Sequence, residues 1–297
     1  MPEILFRHRL SACPDFKNKL ILRSRLWHAF AVSALTESTV AWEPVTPRGV
    51  ASFARASYER LLVAQSILAL ITALIVVWVL ANKFFPTVDA AISQLPEAGQ
   101  IIHGELDITN TAPQLLAEGP FLAFIIDGKH TGQIRSPAQF QFEFGSDSLL
   151  IFSLFGVAEI DYPVDQPFFF NRTDLQPKWG AWEPISLALS GIAVFLGLLA
   201  SWLALATIYF LPVWLVAFFA NRDLSIFQSW RLAGATLMPG AMLMSFAIWL
   251  YGMGVFDLVK LCFAFGMHFL IGWIYLLVSP LFLNRALPAA GKNPFSA

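Results

Sequence analysis

The residues best suited to chemistry lie in one short stretch, "FLAFIIDGKHTG", over residues 121–132. Asp127, Lys129 and His130 supply a carboxylate, an amine and an imidazole, which could transfer protons or bind an ion or a charged ligand. The Asp-Gly pair predicts a hairpin turn, and Gly132 suits a positive φ angle. Because an exposed tip is neither rigid nor desolvated, we interpret these side chains as candidate contacts for a partner, substrate or ion.

Alternating and apolar runs around this stretch predict a small sheet. We interpret "QIIHGELDI" as one strand interrupted by a glycine, and "PFLAFII", "QFQFEF" and "SLLIFSLF" as three more strands. A helix over residues 87–94 is expected to cover this antiparallel sheet. The strict alternation in "QFQFEF" predicts that Phe140, Phe142 and Phe144 form the core face and that Glu143 faces solvent. Alternatively, a second protein or lipid covers the phenylalanine face.

The composition indicates that the chain contains membrane helices in addition to these strands. Of the 297 residues, 57% are hydrophobic and 13% are charged, whereas average usage is about a quarter charged. Uncharged runs of about 20 residues are typical of helices that cross a bilayer. We expect one helix in each of four such runs: residues 61–81, 185–220, 232–256 and 261–284. The second run, which contains Pro212, predicts one long helix that is kinked or tilted.

Charge is distributed unevenly along the chain. Residues 1–60 contain nine Lys and Arg against five acidic residues, whereas residues 82–184 contain five against thirteen. The short segments 221–231 and 285–297 are also basic. Since Lys- and Arg-rich short segments stay in the cytoplasm, we expect both termini there and residues 82–184 outside. The predicted fold class is a membrane α-helical protein of the bacterial inner membrane, with four transmembrane helices and an inserted small extracytoplasmic α+β domain.

The remaining sequence features predict no resident cofactor. The segment "KLILRSRLWHAFAVSAL" at residues 19–35 is either an amphipathic helix on anionic lipid or a poorly ordered leader. Cys13 and Cys262 are isolated, which does not support a disulfide framework or a cysteine metal site. The sequence has no motif typical of a nucleotide, zinc or nucleic-acid site, so we predict no cofactor, metal or nucleic-acid partner.

Ionisable groups inside the predicted spans would indicate a transport path. His268 is such a group, about two turns into the fourth span. A hydrogen bond to a neighbouring helix is the simpler interpretation, and a proton relay is the alternative. Asp257 and Lys260, at the predicted outer interface, are spaced to form an ion pair. Three spans contain a proline that could break the helix around a substrate path: Pro212, Pro239 and Pro280.

Three motifs occur in the order "GELDI", "FLAFIIDGKHTG" and "NRDLSIFQSWRLAGATLMPG". Over roughly residues 46–285 the chain resembles an uncharacterised family of bacterial polytopic membrane proteins described as maltodextrin-utilisation proteins. The most telling parts are Asp127 at the end of a strand and the Trp-Arg-Leu sequence from Trp230. Family members tend to have threonines after the aspartate, where this chain has Gly128 and Lys129. The resemblance implies a membrane topology and no established activity.

These features favour a non-catalytic accessory or sensing protein. Its extracytoplasmic domain would bind a partner or solute, while the helices anchor it or relay a signal. A transporter component with a path near His268 is the first alternative. A cell-envelope enzyme that uses Asp127 or His130 is the second. The expected partners are the lipid bilayer and either a membrane protein or further copies of the chain.

Overall fold

The structure, a computed structural model, describes residues 43–108 and 112–286. The predicted amphipathic segment, Cys13 and most of the 285–297 tail lie outside these residues. The chain divides into two compact units. Among the described residues, the first unit comprises 43–64, 205–238 and 273–286, and the second comprises 65–108, 112–204 and 239–272.

After a short helix, α1 (Pro47–Ser52), four helices are long and apolar enough to cross a membrane. The first is continuous over Tyr58–Ser93. It consists of α2 (Tyr58–Val79), a π-helical turn (Leu80–Phe84) and α3 (Phe85–Ser93). The other three are α4 (Arg172–Phe219), α5 (Ile226–Gly252) and α6 (Leu258–Val278), which continues into a 3-10 turn at Ser279–Phe282.

The first long helix continues beyond its expected end at residue 81. Pro86 explains the π-helical turn, because proline has no N–H to donate to the Asn82 carbonyl four residues earlier. The Phe85 N–H donates instead to the Leu80 carbonyl, five residues earlier. This wider turn lets the chain remain helical as far as α3, which we expected to be a separate helix over residues 87–94.

Helix α4 is also much longer than its apolar run. It begins at Arg172 rather than at residue 185, and the Asn171 side chain caps it by accepting from the Asp174 N–H at 2.8 Å. At about 1.5 Å per residue its 48 residues extend roughly 70 Å, against about 30 Å for the hydrocarbon core of a bilayer. The helix continues through Pro212.

Within the described residues between α3 and α4, eight strands form two sheets. The strands are β1 (Gly99–Ile102), β2 (Glu105–Ile108), β3 (Gln114–Glu118), β4 (Leu122–Ile126), β5 (Phe140–Phe144), β6 (Ser148–Ser153), β7 (Gly156–Asp161) and β8 (Phe168–Phe169). Their orders are β2-β1-β8 and β3-β4-β5-β6-β7. The expected single antiparallel sheet is therefore wrong, because there are two sheets and because β4 pairs with β5 in parallel.

Two predictions about turns in this inserted domain need correction. "QIIHGELDI" is the β1–β2 hairpin rather than one strand, with positive φ angles of 54° at His103 and 83° at Gly104, as a two-residue hairpin turn requires. Residues 127–139 are a crossover between parallel strands rather than a hairpin. The Asp-Gly pair still begins a turn, since the His130 N–H donates to the Asp127 carbonyl at 3.0 Å. Gly132 has the expected positive φ, 66°.

Two apolar clusters form the core of the second unit. One packs α3 against strands of both sheets, and Phe144 lies against it. The other contains Phe121 and Tyr251, and Phe140 and Phe142 pack against it. The phenylalanine alternation therefore marks a packed face, as predicted. The end of α5 and the start of α6 contribute to its cover.

Close helix packing in the second unit depends on two glycines. A Cβ atom on Gly240 of α5 would lie 2.5 Å from the His268 carbonyl oxygen of α6. A Cβ atom on Gly252 would lie 2.4 Å from a methyl group of Val79 in α2. Because only glycine fits at these positions, α5 approaches both neighbouring helices closely, as expected for small residues in membrane helices.

The first unit is held together at the helix ends by arginine side chains that donate to backbone carbonyls. Arg222, in the α4–α5 connection, donates to the Leu283 carbonyl at 2.6 Å. Arg231 of α5 donates to the Ala56 carbonyl at 2.7 Å, and its guanidinium carbon lies 4.9 Å from the centre of the Tyr58 ring. These bonds fix the connections between the long helices in this unit.

Candidate functional site

One face of the five-stranded sheet carries buried polar side chains. Ile125 of β4 is in register with Glu143 of β5, and alternate residues share a face. Asp127, Gln141 and Glu143 therefore lie on the same side, beneath the crossover loop of residues 128–139, which bonds to them. Their exposed fractions are only 1%, 4% and 1%. The predictions that Asp127 points into water and that Glu143 faces solvent are therefore wrong.

Asp127 fixes the start of the crossover loop. Its carboxylate accepts from the Thr131 hydroxyl at 2.7 Å, from the Gly132 N–H at 3.1 Å and from the Lys129 N–H at 3.4 Å. Burial raises the pKa of this carboxyl, but the hydrogen bonds outweigh burial, so the pKa lies below its ordinary value. The Asp127 carboxylate therefore binds groups of the crossover loop that follows it. The Lys129 side chain is exposed to solvent.

Glu143 is the centre of the polar cluster. One carboxylate oxygen lies 2.9 Å from His130 Nδ1, and the other accepts from Gln141 Nε2 at 3.1 Å and lies 3.7 Å from Arg135. A buried carboxylate is costly unless donors or cations surround it. Gln141 Oε1 in turn accepts from the Ser136 N–H at 3.0 Å. One buried acid and its neighbouring amide therefore hold much of the loop on the sheet.

His130 is fixed in an uncommon backbone conformation. Its φ angle is 48°, a region that residues other than glycine seldom occupy. The imidazole lies directly against Gly145, where a Cβ atom would be 1.9 Å from His130 Nε2. The ring fits because residue 145 has no side chain. It remains 21% exposed, so solvent can reach the imidazole next to Glu143.

Ser148 completes a serine–imidazole–carboxylate series, since its Oγ lies 3.4 Å from His130 Nε2. The same order activates a serine nucleophile in many hydrolases. However, Ser148 is only 2% exposed, and its hydroxyl donates to Glu159 at 3.0 Å. The hydroxyl proton is therefore directed away from the imidazole. This geometry favours a structural network over a nucleophilic site.

A cleft of about 530 Å³ lies beside the crossover loop. Its walls are mainly apolar and include Phe152, Leu154, Leu258 and Val259. Its polar groups include Arg135, Ser136, Gln139 and Asp257. The Arg135 guanidinium carbon lies 4.5 Å from the centre of the Phe152 ring, and Asp257 pairs with Lys260 at 3.1 Å, as predicted. A concave, mostly apolar surface with a few polar groups is typical of small-molecule sites.

Gln139 joins this cleft to helix α5. Its side-chain oxygen accepts from the Tyr251 hydroxyl at 2.5 Å, and the Tyr251 ring packs against Phe121 with centroids 4.7 Å apart. Gln139 also immediately precedes β5, which carries Glu143. One strand therefore connects the cleft, the buried acid and the last turn of α5. Sequence reasoning did not identify the Tyr251 contact, because 112 residues separate its partners.

His268 lies in α6, and its Nδ1 bonds to the Phe265 carbonyl of the same helix rather than to a neighbouring helix. Its ring packs against that of Phe269, with centroids 4.0 Å apart. Pro212 and Pro239 lie inside continuous helices, whereas Pro280 lies in the 3-10 turn at Ser279–Phe282 that follows α6. Across residues 43–108 and 112–286, no three His, Cys, Asp or Glu side chains are grouped to hold a metal ion.

The chain matches no family model, no curated protein and no solved structure. The polar cluster and the cleft are therefore interpreted from their own geometry. The resemblance to the maltodextrin-utilisation family stays a prediction.

Proposed function

We propose that the protein is a non-catalytic inner-membrane accessory or sensing protein whose extracytoplasmic domain binds a partner or solute. Four helices of membrane-crossing length support the anchoring, and the Lys- and Arg-rich residues 1–60 before the first of them support a position of the inserted domain outside the cytoplasm. The observation that carries the proposal is the hydrogen bond between Tyr251 and Gln139. It connects a cleft residue to the most buried of the four helices.

A ligand changes a conformational equilibrium only when it interacts differently with the two states. A ligand of this cleft would meet the requirement, because several polar groups of the lining already have internal partners. Gln139 is bonded to Tyr251, and Arg135 lies near Glu143. A ligand that binds either group competes with these internal partners. Occupancy of the cleft would therefore be transmitted to α5 through Tyr251 and to the crossover loop through Glu143.

The test uses the full chain in its native membranes. A photoreactive benzoylphenylalanine replaces Ser153, which lines the cleft, and in a matched control replaces Glu105, an exposed residue of β2. We expect a discrete adduct at position 153 that weakens when Arg135→Gln is added, and no such adduct at position 105. Equal labelling at the two positions, or none at either, would contradict the proposal.

A cell-envelope hydrolase is the second candidate function, favoured by the order Ser148–His130–Glu143. It requires that Ser148 turn from Glu159 towards His130. A fluorophosphonate probe would then label the wild-type chain but not the Ser148→Ala variant. If the probe labels neither the wild type nor a Glu159→Gln variant, in which the competing carboxylate is neutralised, a hydrolase with Ser148 as its nucleophile is eliminated.

A further inference from the structure

The cleft beside the crossover loop combines two opposite charges with apolar walls. The Arg135 guanidinium and the Asp257 carboxylate both line it, and each side chain is 55% exposed. Phe152 and Leu258 contribute apolar surface to the same lining. Guanidinium groups bind phosphate through charge-assisted hydrogen bonds, and carboxylates bind ammonium in the same way. The lining therefore matches a molecule that carries a phosphate, an ammonium group and an alkyl chain.

The cleft also lies where a bilayer surface is expected. Leu258 and Val259 form the start of α6, one of the four helices of membrane-crossing length. Leu154 lines the same cleft and belongs to the β6–β7 turn, where it is 58% exposed and Phe155 is 77% exposed. Two large apolar side chains at a hairpin turn are typical of a segment that contacts lipid or protein. Their proximity to the start of α6 favours lipid.

We infer that this cleft binds a zwitterionic phospholipid from the bilayer, with its phosphate on Arg135 and its ammonium group on Asp257. There the ammonium group would replace the exposed Lys260 amine, which lies 3.1 Å from the carboxylate. The alkyl chains would lie along Phe152, Leu154 and Val259. The inference rests on the proposed function, since it names the ligand of the same cleft. Arg135 can turn towards a phosphate because its contact with Glu143 is long, 3.7 Å. His130 and Gln141 still satisfy Glu143 when it does so.

The inference is tested with the full chain in nanodiscs of phosphatidylethanolamine that contain a trace of a photoactivatable phosphatidylethanolamine. We expect the crosslinks to concentrate at residues 152–155 and 258–259. Arg135→Gln and Asp257→Asn should each reduce them roughly tenfold, the effect of losing one charge-assisted hydrogen bond. Lys129→Gln is the matched control, because it removes an exposed cation of the same loop outside the cleft lining. Hydrogen exchange in β5 checks that each variant is folded.

Two outcomes overturn the lipid inference even though the lipid probe labels the cleft. One is non-specific labelling of the cleft. Neither Arg135→Gln nor Asp257→Asn would then reduce the labelling, or it would be no stronger than labelling of the apolar α4 surface at residues 189–203. The other is competition by soluble phosphoethanolamine as effective as that by added lipid, since the ligand is then a soluble zwitterion. If the photoreactive residue at position 153 captures another molecule while the lipid probe does not label the cleft, only the lipid inference fails. If neither probe labels the cleft, the proposed function fails as well.

Discussion

Glu143 alternates with phenylalanines in the sequence, yet it is one of the most buried side chains in the inserted domain. Its burial is tolerated because His130, Gln141 and Arg135 surround the carboxylate. Two of these partners come from the crossover loop, so the acid and the loop depend on each other. Without the acid, the loop loses its main contacts with the sheet, and without the loop the acid would be solvated.

Replacing Glu143 with Ala should therefore destabilise the inserted domain. The change leaves His130 and Gln141 without their partner, and we expect a loss of about 1–3 kcal/mol in the free energy of unfolding. Hydrogen exchange of the β5 and β6 amides in urea measures this loss. Glu105→Ala, at an exposed position of β2, is the control and should change stability by less than about 0.5 kcal/mol. Equal effects of the two substitutions would contradict the role given to Glu143.

Asp127 gives the inserted domain a dependence on pH. Its pKa is lowered in the folded state from an ordinary value of 3.8. The ionised carboxylate therefore stabilises the fold fully above that value, and the contribution is lost as the pH falls through the lower, folded-state pKa. We expect the protection factors of the crossover-loop amides, which are exchange rates corrected for their intrinsic dependence on pH, to fall on acidification below about pH 4. Asp127→Asn should exchange faster already at pH 7 and respond less to acid. Parallel pH profiles for wild type and variant would refute this expectation.

The alternation in "QFQFEF" shows what a single sequence can and cannot reveal about an element. A period of two correctly groups Phe140, Phe142 and Phe144 on one face. It does not reveal what covers the opposite face, where Gln141 and Glu143 lie. The crossover loop covers this face. The loop takes that position because β4 and β5 pair in parallel, and the sequence of a single strand does not show which strand it pairs with. The cluster was therefore beyond sequence reasoning, although each of its residues was visible.

The long helices were easier to predict, because length and absence of charge are sufficient for a membrane-crossing helix. Their ends were not predictable in the same way. The first 13 residues of α4, over 172–184, contain charged side chains and two prolines, which resemble a loop in composition. They are helical because Asn171 caps the start and because tertiary contacts hold the segment. One such contact is the Trp179 Nε1–H donated to Asp89 at 2.6 Å.

The contact between strand β5 and helix α5 should be measurable as a coupling. Tyr251→Phe removes the hydroxyl that donates to Gln139 but keeps the ring against Phe121. We expect faster amide exchange in residues 139–144 and in the last turn of α5, by roughly threefold to tenfold, because one hydrogen bond is lost. Gln139→Ala should give the same pattern. If the double variant shows the sum of the two single effects, the residues are not coupled and the proposed relay fails.

The packing of α5 against α6 at Gly240 can be tested by comparing substitutions at Gly240 and at Gly266. An alanine methyl group at this position would lie 2.5 Å from the His268 carbonyl oxygen, so α5 and α6 would have to separate. We expect Gly240→Ala to cost about 1–3 kcal/mol, seen as a lower thermal midpoint in detergent. Gly266→Ala is the control, because a Cβ atom there has open space around it. A similar midpoint for both variants would contradict the packing role.

At the scale of the whole molecule, the proposed topology depends on four crossings and on the uneven distribution of charge. An even number of crossings returns the chain to its starting side, and we propose from the basic segments that this side is the cytoplasm. The inserted domain, with its cleft and polar cluster, then lies on the other side. The cleft can meet extracytoplasmic ligands only if this orientation holds.

Single cysteines test that orientation. In a chain whose Cys13 and Cys262 are replaced by serine, Lys129→Cys should react with a membrane-impermeant maleimide in intact spheroplasts. Asp223→Cys should react only after permeabilisation. Both positions are exposed, so a difference between them reports on membrane side rather than on burial. Labelling of Asp223→Cys alone in intact spheroplasts would show that the topology is the reverse of the proposed one. It would then also contradict the proposed function.

The unbroken course of α4 also restricts how the chain can change in length. Each residue of an α-helix advances it by about 1.5 Å and turns it by about 100°. One residue inserted near Gly180 would therefore turn the start of the helix, which Asn171 caps, by more than a quarter of a revolution relative to the rest of α4. Only increments close to whole turns, such as roughly seven or eleven residues, would preserve the angular setting. Descendants of this chain should accordingly vary more freely in the exposed 163–167 segment while keeping the spacing of α4 in phase.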